Sequence, residues 1–359
     1  VDAVVLVGGE GTRLRPLTYD VPKQMLPIVE RPMVERVLEW LGGHGVSRAV
    51  LSLGYRPDAF LAAFPEGRAH GVELAYAVEP ELLDTAGAIR FAARAAGVEG
   101  TFVVVNGDVL TDLDLGALVR FHRERGATAT IALTPVADPS AFGVVPTGPD
   151  GRVVAFVEKP APGTAPTNEV NAGTYVLEAE VVDMIPAGRR VSVERETFPE
   201  LAAAGRLFAW ASDAYWIDTG TPRQYVAAQV DVLRGRREAV SLPESTERPA
   251  RVFVAPGARV AADIGPNAFV GADAVVGEGA RVVDAVVGAR AGVCRGASIV
   301  RSVLLPGAVV EEGARVEECV VGPAARVGAG AVLGGWSVVG KGASVPAGCR
   351  LEGARLPAD

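Results

Sequence analysis

Hydrophobic and polar positions follow two rhythms along this chain of 359 residues, and the change falls near residue 235. In the first part, short β-rich apolar runs alternate with stretches of helical spacing, the pattern of an α/β domain with a mostly parallel sheet. Residues 4–7, 49–53, 73–78 and 102–105 read as strands, and 128–134, 153–157 and 173–177 add others. Met33, Val34, Val37, Leu38 and Leu41 recur at helical spacing behind Pro32, a residue suited to a first helical turn. Stretches 85–96, 115–125 and 221–233 predict three more helices.

The polar stretch 234–249, with RGRRE and then LPESTERP, reads as a linker. Beyond it, apolar residues recur every six positions: Ile264, Val270, Val276, Val282; Val287, Val293, Ile299, Leu305; Val310, Val316; Val321, Val327, Leu333, Val339, Val345, Leu351. Five-residue steps separate the groups. A period of six fits neither a 3.6-residue helix nor an alternating strand. It fits a β-helix, in which one inward side chain per short flat strand fills a narrow core. Sixteen positions obey the rule, which makes chance a poor explanation. The expected fold is α/β: a Rossmann-like, mostly parallel sheet domain over 1–235, a linker over 236–250, and a left-handed parallel β-helix of hexapeptide repeats over 251–359. Trp336, large among small residues, is expected at a domain or subunit interface.

Composition narrows the function classes. A hydrophobic content of 49% with 22% charge is globular. A net charge of -8 leaves no basic surplus for neutralising a nucleic acid. No apolar run reaches the roughly 20 residues that span a bilayer, and VDAVVLVGGEG lacks the basic start of a signal peptide. Cys294, Cys319 and Cys349 are too few and too widely spaced for a disulfide framework or a metal knuckle. The expectation is a cytoplasmic protein with no nucleic-acid or membrane partner.

Of 35 basic residues only three are lysines, Lys23, Lys159 and Lys341, so a lysine that persists points to a site needing a compact ammonium. Lys341 lies in the repeats and looks incidental. Lys23 belongs to GGEGTRLRPLTYDVPKQMLP, where Gly8, Gly9 and Gly11 let backbone N–H groups approach phosphate and Arg13 and Lys23 add charge. A P-loop and a GxGxxG fingerprint are both absent. A glycine-rich turn alone is weak, being also an ordinary strand-to-helix connection; with Arg13, Pro16, Pro22 and Lys23 it is specific.

That segment resembles the signature of nucleoside-triphosphate sugar-1-phosphate nucleotidyltransferases. NGD at 106–108, FGVV at 142–145, FVEKP at 156–160, NAGTYVLE at 171–178, VSVERETFP at 191–199 and WIDTGTP at 216–222 extend the resemblance, most closely to mannose-1-phosphate guanylyltransferases. It implies an enzyme joining a nucleoside triphosphate and a sugar 1-phosphate into a nucleotide-sugar, with release of pyrophosphate. Arg13 would hold the leaving phosphates and Lys23 the α-phosphate and the incoming phosphate. Leu6, Gly8, Gly9, Gly11, Thr12, Arg13, Glu79, Thr85 and Gly87 would line the nucleotide site. Gly143, Glu158, Lys159, Asn171, Gly173 and Glu194 would line the sugar-phosphate site; for Glu194, a helix cap shared with Ser192 is an equal alternative. Asp108 and Asp218 would bind Mg²⁺, although a lone aspartate after a strand is more often a turn residue.

Base choice stays open between guanine, thymine and adenine. KQMLP is closer to the KQLLP of glucose-1-phosphate thymidylyltransferases. Glu79, an acceptor-only carboxylate in AVEPELLDTAGAI, suits the adjacent donors of guanine better than thymine. Alternatives are a thymidylyl- or adenylyltransferase acting on glucose 1-phosphate, and a non-catalytic regulatory paralogue. An added acetyltransferase activity is disfavoured, because His44, His70 and His122 all precede the repeats. The resemblance also implies a homo-oligomer involving the β-helix.

Overall fold

The computed structural model describes residues 1–237 and 240–357. Contacts divide the chain into two compact units, residues 1–9 with 37–216, and residues 10–36 with 217 onward. This division differs from the expected domains at both ends. The segment 10–36 and helix Pro222–Leu233 belong with the β-helix, and the helix touches its strands Ala268–Val270 and Ala285–Val287.

The first unit is built on a ten-stranded sheet. Strands Asp2–Leu6, Arg48–Leu53, Val72–Val78 and Thr101–Asn106 run parallel at its centre, and Leu6 pairs with both Ser52 and Asn106. The near-continuous apolar runs of Asp2–Leu6, Arg48–Leu53 and Thr101–Asn106 suit a sheet covered on both faces, while Val72–Val78 nearer the edge carries exposed positions. Strand Glu169–Glu178 runs antiparallel to Thr101–Asn106, with Thr174 opposite Val105. Its first residues therefore reach past the carboxyl ends of the parallel strands. Helix Asp84–Ala95 buries Ala86, Ile89, Ala92 and Ala93 among Val4, Val50, Phe102 and Val104.

Several expected boundaries shift. Helix Met33–Gly43 begins after Pro32, which pairs in a short strand Arg31–Pro32 instead of entering the first turn. Residues 153–157 form no full strand: only Val157–Glu158 pairs as one, and Val153 makes an isolated bridge to Thr147. Strand Leu207–Ala211, pairing in parallel with Ala129–Pro135, was not foreseen. Thr221 caps the helix Pro222–Leu233 by accepting from the Gln224 N–H, with proline in the first turn.

In the second unit, three parallel sheets form the faces of the β-helix. Register stacks Val270, Val287, Leu304, Val321, Val339 and Leu356 on one face. Leu304, not Leu305, thus takes the inward position, so the five-residue step comes before it. Fourteen of the sixteen sequence-derived positions are buried, Ile264 and Leu351 only partly, and each valine or leucine so buried stabilises by about 1.5–3 kcal/mol. On two faces the interior takes a second residue per coil, just before the strand, that the six-residue rhythm hid. Ala274, Ala291, Ala308 and Ala325 stack two places before the inward residue on one face, and Ala280, Ala297, Ala314 and Ala331 do so on another. Trp336 sits at a corner lengthened by one residue, where Gly335 and Trp336 both turn left-handed (φ 61° and 63°). The expected linker is not bare chain: Thr246–Arg248 pairs antiparallel with Val252–Val254.

Candidate functional site

In the first unit, four loops leave the carboxyl ends of parallel strands on the same sheet edge: Gly8 after Asp2–Leu6, Gly54 after Arg48–Leu53, Glu79 after Val72–Val78, and Asp108 after Thr101–Asn106. Ligands of open α/β sheets bind at this edge. Gly8 and Gly54 pack so closely that a Cβ on Gly54 would lie 3.0 Å from the Gly8 carbonyl. Gly9 is exposed with open space around it. The Leu6 carbonyl accepts the Gly107 N–H at 2.9 Å, tying together the two strands that carry the glycine turn and Asp108.

Glu79 is buried beside Gly8. One carboxylate oxygen accepts from the Ser52 hydroxyl at 3.0 Å and the other from the Leu83 N–H at 3.1 Å. Burial pushes its carboxyl above the usual range, and these two bonds pull the other way. Ser52 had no signal in the sequence, because its role comes only from its strand neighbour.

The sugar-phosphate candidates gather around Tyr175, a fully buried residue that the sequence did not single out. Burial raises its hydroxyl well above its ordinary value; the charges of Glu194, Glu158 and Asp108 add to this, while a hydrogen bond with Asn171 opposes it. Asn171 donates to the Tyr175 hydroxyl at 2.9 Å and accepts the Gly173 N–H at 2.9 Å. Gly173 has φ 71°, and a Cβ there would fall 2.6 Å from the Asn106 amide nitrogen. Gly143 pairs with Glu158, and a Cβ on it would strike Phe156 at 2.6 Å. Lys159 is exposed, with its ammonium 3.4 Å from Glu158, and its backbone is held left-handed at φ 47°. A non-glycine residue held there is a strained position, of the kind that concentrates at functional sites. Trp216 donates to the Ala172 carbonyl at 2.9 Å and stacks edge-on with Phe142, closing the wall beside Asn171.

Thr85 and Glu194 meet directly: the threonine hydroxyl donates to Glu194 at 2.8 Å and accepts the Val193 N–H at 2.8 Å. Ser192 caps its turn by accepting the Arg195 N–H, and its hydroxyl donates to Glu194 at 2.8 Å. The Ser192 cap of the alternative reading is present, with Glu194 bonded to both Ser192 and Thr85. Gly87 is closely packed: its N–H donates to the Val191 carbonyl, and a Cβ would meet Leu83 at 2.8 Å. Glycine there lets helix Asp84–Ala95 approach the irregular segment 189–191 closely.

The second unit holds the other cationic residues. Gly11 is left-handed at φ 65°, and a Cβ on it would lie 2.8 Å from the Lys23 Cβ, so glycine lets the turn close over the lysine. Thr12 and Arg13 start the short turn Thr12–Leu14 and are exposed. Lys23 is buried on the turn Lys23–Met25. Asp218 accepts the Gly220 N–H at 2.8 Å, and its other oxygen lies 3.9 Å from the Arg13 guanidinium. A Cβ on Gly220 would crowd both groups, a constraint legible only in three dimensions.

No group of three or more His, Cys, Asp or Glu side chains that could cage a metal occurs among the described residues. Single carboxylates such as Asp108 and Asp218 fit Mg²⁺, which is usually held by one or two carboxylates together with substrate phosphates and water. Cys294, Cys319 and Cys349 are free thiols, and burial pushes Cys319 up to about 12. No described helix is long and apolar enough to cross a membrane.

The chain has relatives among known proteins. Residues 2–235 match the nucleotidyl transferase family and residues 249–354 the GlmU-like C-terminal hexapeptide family. The chain belongs to the nucleotidyl transferase family, with a left-handed hexapeptide β-helix appended. It is 43% identical to the mannose-1-phosphate guanylyltransferase of Mycobacterium tuberculosis, over 79% of this chain and 76% of that protein. It is 33% identical to the UTP–glucose-1-phosphate uridylyltransferase of Synechocystis sp., over 84% of this chain and 82% of that one. Among solved structures, HddC from Yersinia pseudotuberculosis complexed with GMP-PN aligns at 31% identity and a TM-score of 0.57, covering 64% of this chain and 99% of HddC.

Proposed function

We propose that this enzyme transfers GMP from GTP to mannose 1-phosphate, giving GDP-mannose and pyrophosphate. A phosphate oxygen of the sugar 1-phosphate attacks the α-phosphorus, the bond from that phosphorus to the bridging oxygen of the β-phosphate breaks, and pyrophosphate leaves. Such transfer relies on positioning and charge neutralisation. The observation that carries the reading is a set of polar groups: Asn171 hydrogen-bonded to the buried Tyr175 hydroxyl, Glu158 beside Lys159, and Asp108 at the carboxyl end of strand Thr101–Asn106. It offers acceptors for sugar hydroxyls, with the Lys159 ammonium at the rim for the sugar phosphate.

Arg13 and Lys23 serve the triphosphate in this reading, with Leu6, Gly8, Gly9, Gly11 and Thr12 supplying backbone around it. Asp108 and Asp218 are the proposed Mg²⁺ ligands, and the ion when bound neutralises phosphate charge. Glu79 is the proposed base reader: each of its oxygens keeps a second lone pair beyond the bonds to Ser52 and Leu83. The relative from Mycobacterium tuberculosis supports GTP and mannose 1-phosphate. The relative from Synechocystis favours UTP and glucose 1-phosphate as the second reading. The three free thiols suit a reducing cytoplasm, and self-association is assigned to the β-helix.

Pyrophosphate release tests this across GTP, UTP, dTTP, ATP and CTP against mannose and glucose 1-phosphates with Mg²⁺. A GTP and mannose 1-phosphate maximum is expected. A maximum with another pair would replace the substrate assignment, and no release from any pair would refute the catalytic reading.

A further inference from the structure

The hairpin that follows Lys23 is made of residues poorly suited to its turn. Pro27–Ile28 and Arg31–Pro32 pair antiparallel, and the two residues between them, Val29 and Glu30, have φ 46° and 62°. Two-residue turns with positive φ at both positions favour Asn-Gly, and a β-branched valine there is an outlier. Such strain persists only where the surroundings over-determine it. Here the Gln229 amide accepts the Val29 N–H at 2.6 Å and donates to the Pro27 carbonyl at 2.7 Å. The Tyr225 hydroxyl donates to the same carbonyl at 2.5 Å. Arg36, fully buried, donates to the carbonyls of Ile28 at 3.0 Å and Val29 at 3.3 Å. The remaining hold comes from the β-helix: the Glu30 carboxylate accepts the Ala289 N–H and lies where a Cβ on Gly271 would stand.

Ala289 occupies a corner two places after inward Val287. The strand register puts Pro256, Ala272, Pro306 and Pro323 at the same corner of other coils. The corner carbonyls do the same work throughout: Gly307 donates to Ala289, Ala324 to Pro306 and Gly342 to Pro323. Proline in three of these coils shows that the coil itself does not need the corner N–H. At Ala289 that N–H is given to Glu30.

We propose that Glu30 is a positioning residue, whose bond to Ala289 fixes the hairpin to the β-helix and thereby sets where Lys23 presents its ammonium. The connection is short: the Leu26 N–H donates to the Lys23 carbonyl at 3.0 Å, and the Met33 N–H to the Leu26 carbonyl at 3.0 Å. The β-helix becomes part of the phosphate-binding apparatus. This rests on the reading of Lys23 as a phosphate contact.

The test compares Glu30→Ala, Glu30→Gln, Ala289→Pro and the double variant Glu30→Ala with Ala289→Pro. Steady-state kinetics, melting temperature and hydrogen exchange of peptides covering 23–30 are measured on the full chain. Ala289→Pro removes one N–H at a corner where Pro306 and Pro323 already stand, so folding is preserved. Glu30→Ala and Ala289→Pro should each lower kcat/KM for the nucleoside triphosphate about tenfold and speed exchange over 23–30. The double variant should be no worse than either single one, and Glu30→Gln should stay near wild type because its amide oxygen accepts the same N–H. Additive losses, a wild-type Ala289→Pro, or unchanged exchange in both single variants would overturn the proposal. So would melting temperatures that fall while activity per folded molecule holds. If the wild type turns over no substrate pair, the substrate reading fails on its own, and the exchange comparison still decides whether Glu30 holds the segment.

Discussion

Gly173→Ala perturbs the candidate sugar site at a point where the cost can be worked out. The residue has φ 71°, and placing a side chain in the left-handed region costs about 1–2 kcal/mol. The added Cβ would also lie 2.6 Å from Asn106 Nδ2, 3.0 Å from its Cγ and 3.3 Å from its Cβ. Asn106 must rotate away, and overpacking of this kind costs about 1–3 kcal/mol. Because the nearest atom is the mobile end of a side chain, the lower end applies, giving about 2–3 kcal/mol in all. For a unit of this size each kcal/mol lowers the melting temperature by about 2–4 °C, so a fall of about 4–12 °C is expected. Rotation of Asn106 should disturb Asn171, which holds the Gly173 N–H, and raise KM for the sugar phosphate. Adding Asn106→Ala should recover the steric part and leave the backbone part, about 1–2 kcal/mol. Thermal melts and kinetics on the single and double variants decide it. A Gly173→Ala protein that melts within about 1 °C of wild type with unchanged kinetics would refute the reasoning.

Three further outcomes are expected. Asp108→Asn should fold normally, lose about 10²-fold or more in kcat and require more Mg²⁺, and near-normal turnover at the wild-type Mg²⁺ midpoint would remove Asp108 from the metal assignment. Lys159→Arg keeps the charge and tolerates the same backbone, so a KM for the sugar phosphate raised severalfold would report the wider head group, whereas an unchanged value would mean that the side chain is only a surface cation. His122 is buried between Thr130 and Glu178; burial lowers its pKa first, the nearby Arg123 adds to this, and Glu178 opposes it. Because the folded-state value is lowered, its contribution is present above the ordinary value of about 6.5 and is lost as pH falls below it through the folded-state value. Melting temperature should therefore drop more steeply from pH 7 to 5 in wild type than in His122→Gln, and parallel slopes would contradict this.

Local order was legible in the sequence wherever a short-range rule controls it. Helix Leu115–Arg125 matches the expected range because Asp114 at one end and Gly126 at the other supply its stop signals in the chain itself. The β-helix was legible because every coil repeats one demand, an apolar residue pointing inward, and the register confirms all but the step at Leu304. The motif residues Glu158, Lys159, Asn171, Gly173 and Glu194 stood out as letters, since charged and amide groups beside glycine do not arise from packing alone.

Tertiary structure decided what those letters touch. Tyr175 lay unmarked within an expected strand, and only the antiparallel placement of Glu169–Glu178 beside Thr101–Asn106 buries its hydroxyl against the Asn171 amide, within the field of Glu194, Glu158 and Asp108. Gly87 was read as part of the nucleotide motif, and only the fold shows that it also packs closely against Val191 and Leu83. Glu30 carried no signal at all, because its partner Ala289 lies 259 residues later, within the repeats, and is reached only after the coils have stacked. Sequence by itself determined most of the central strands, helix Leu115–Arg125 and the repeating coils, since those depend on neighbours within a few residues, but not strand Leu207–Ala211 or the failure of 153–157 to form a full strand. It could not determine the partners of Tyr175, Gly87 and Glu30, because hydrogen bonds and burial join groups by distance in space, and that distance is fixed only when the sheet and the coils close.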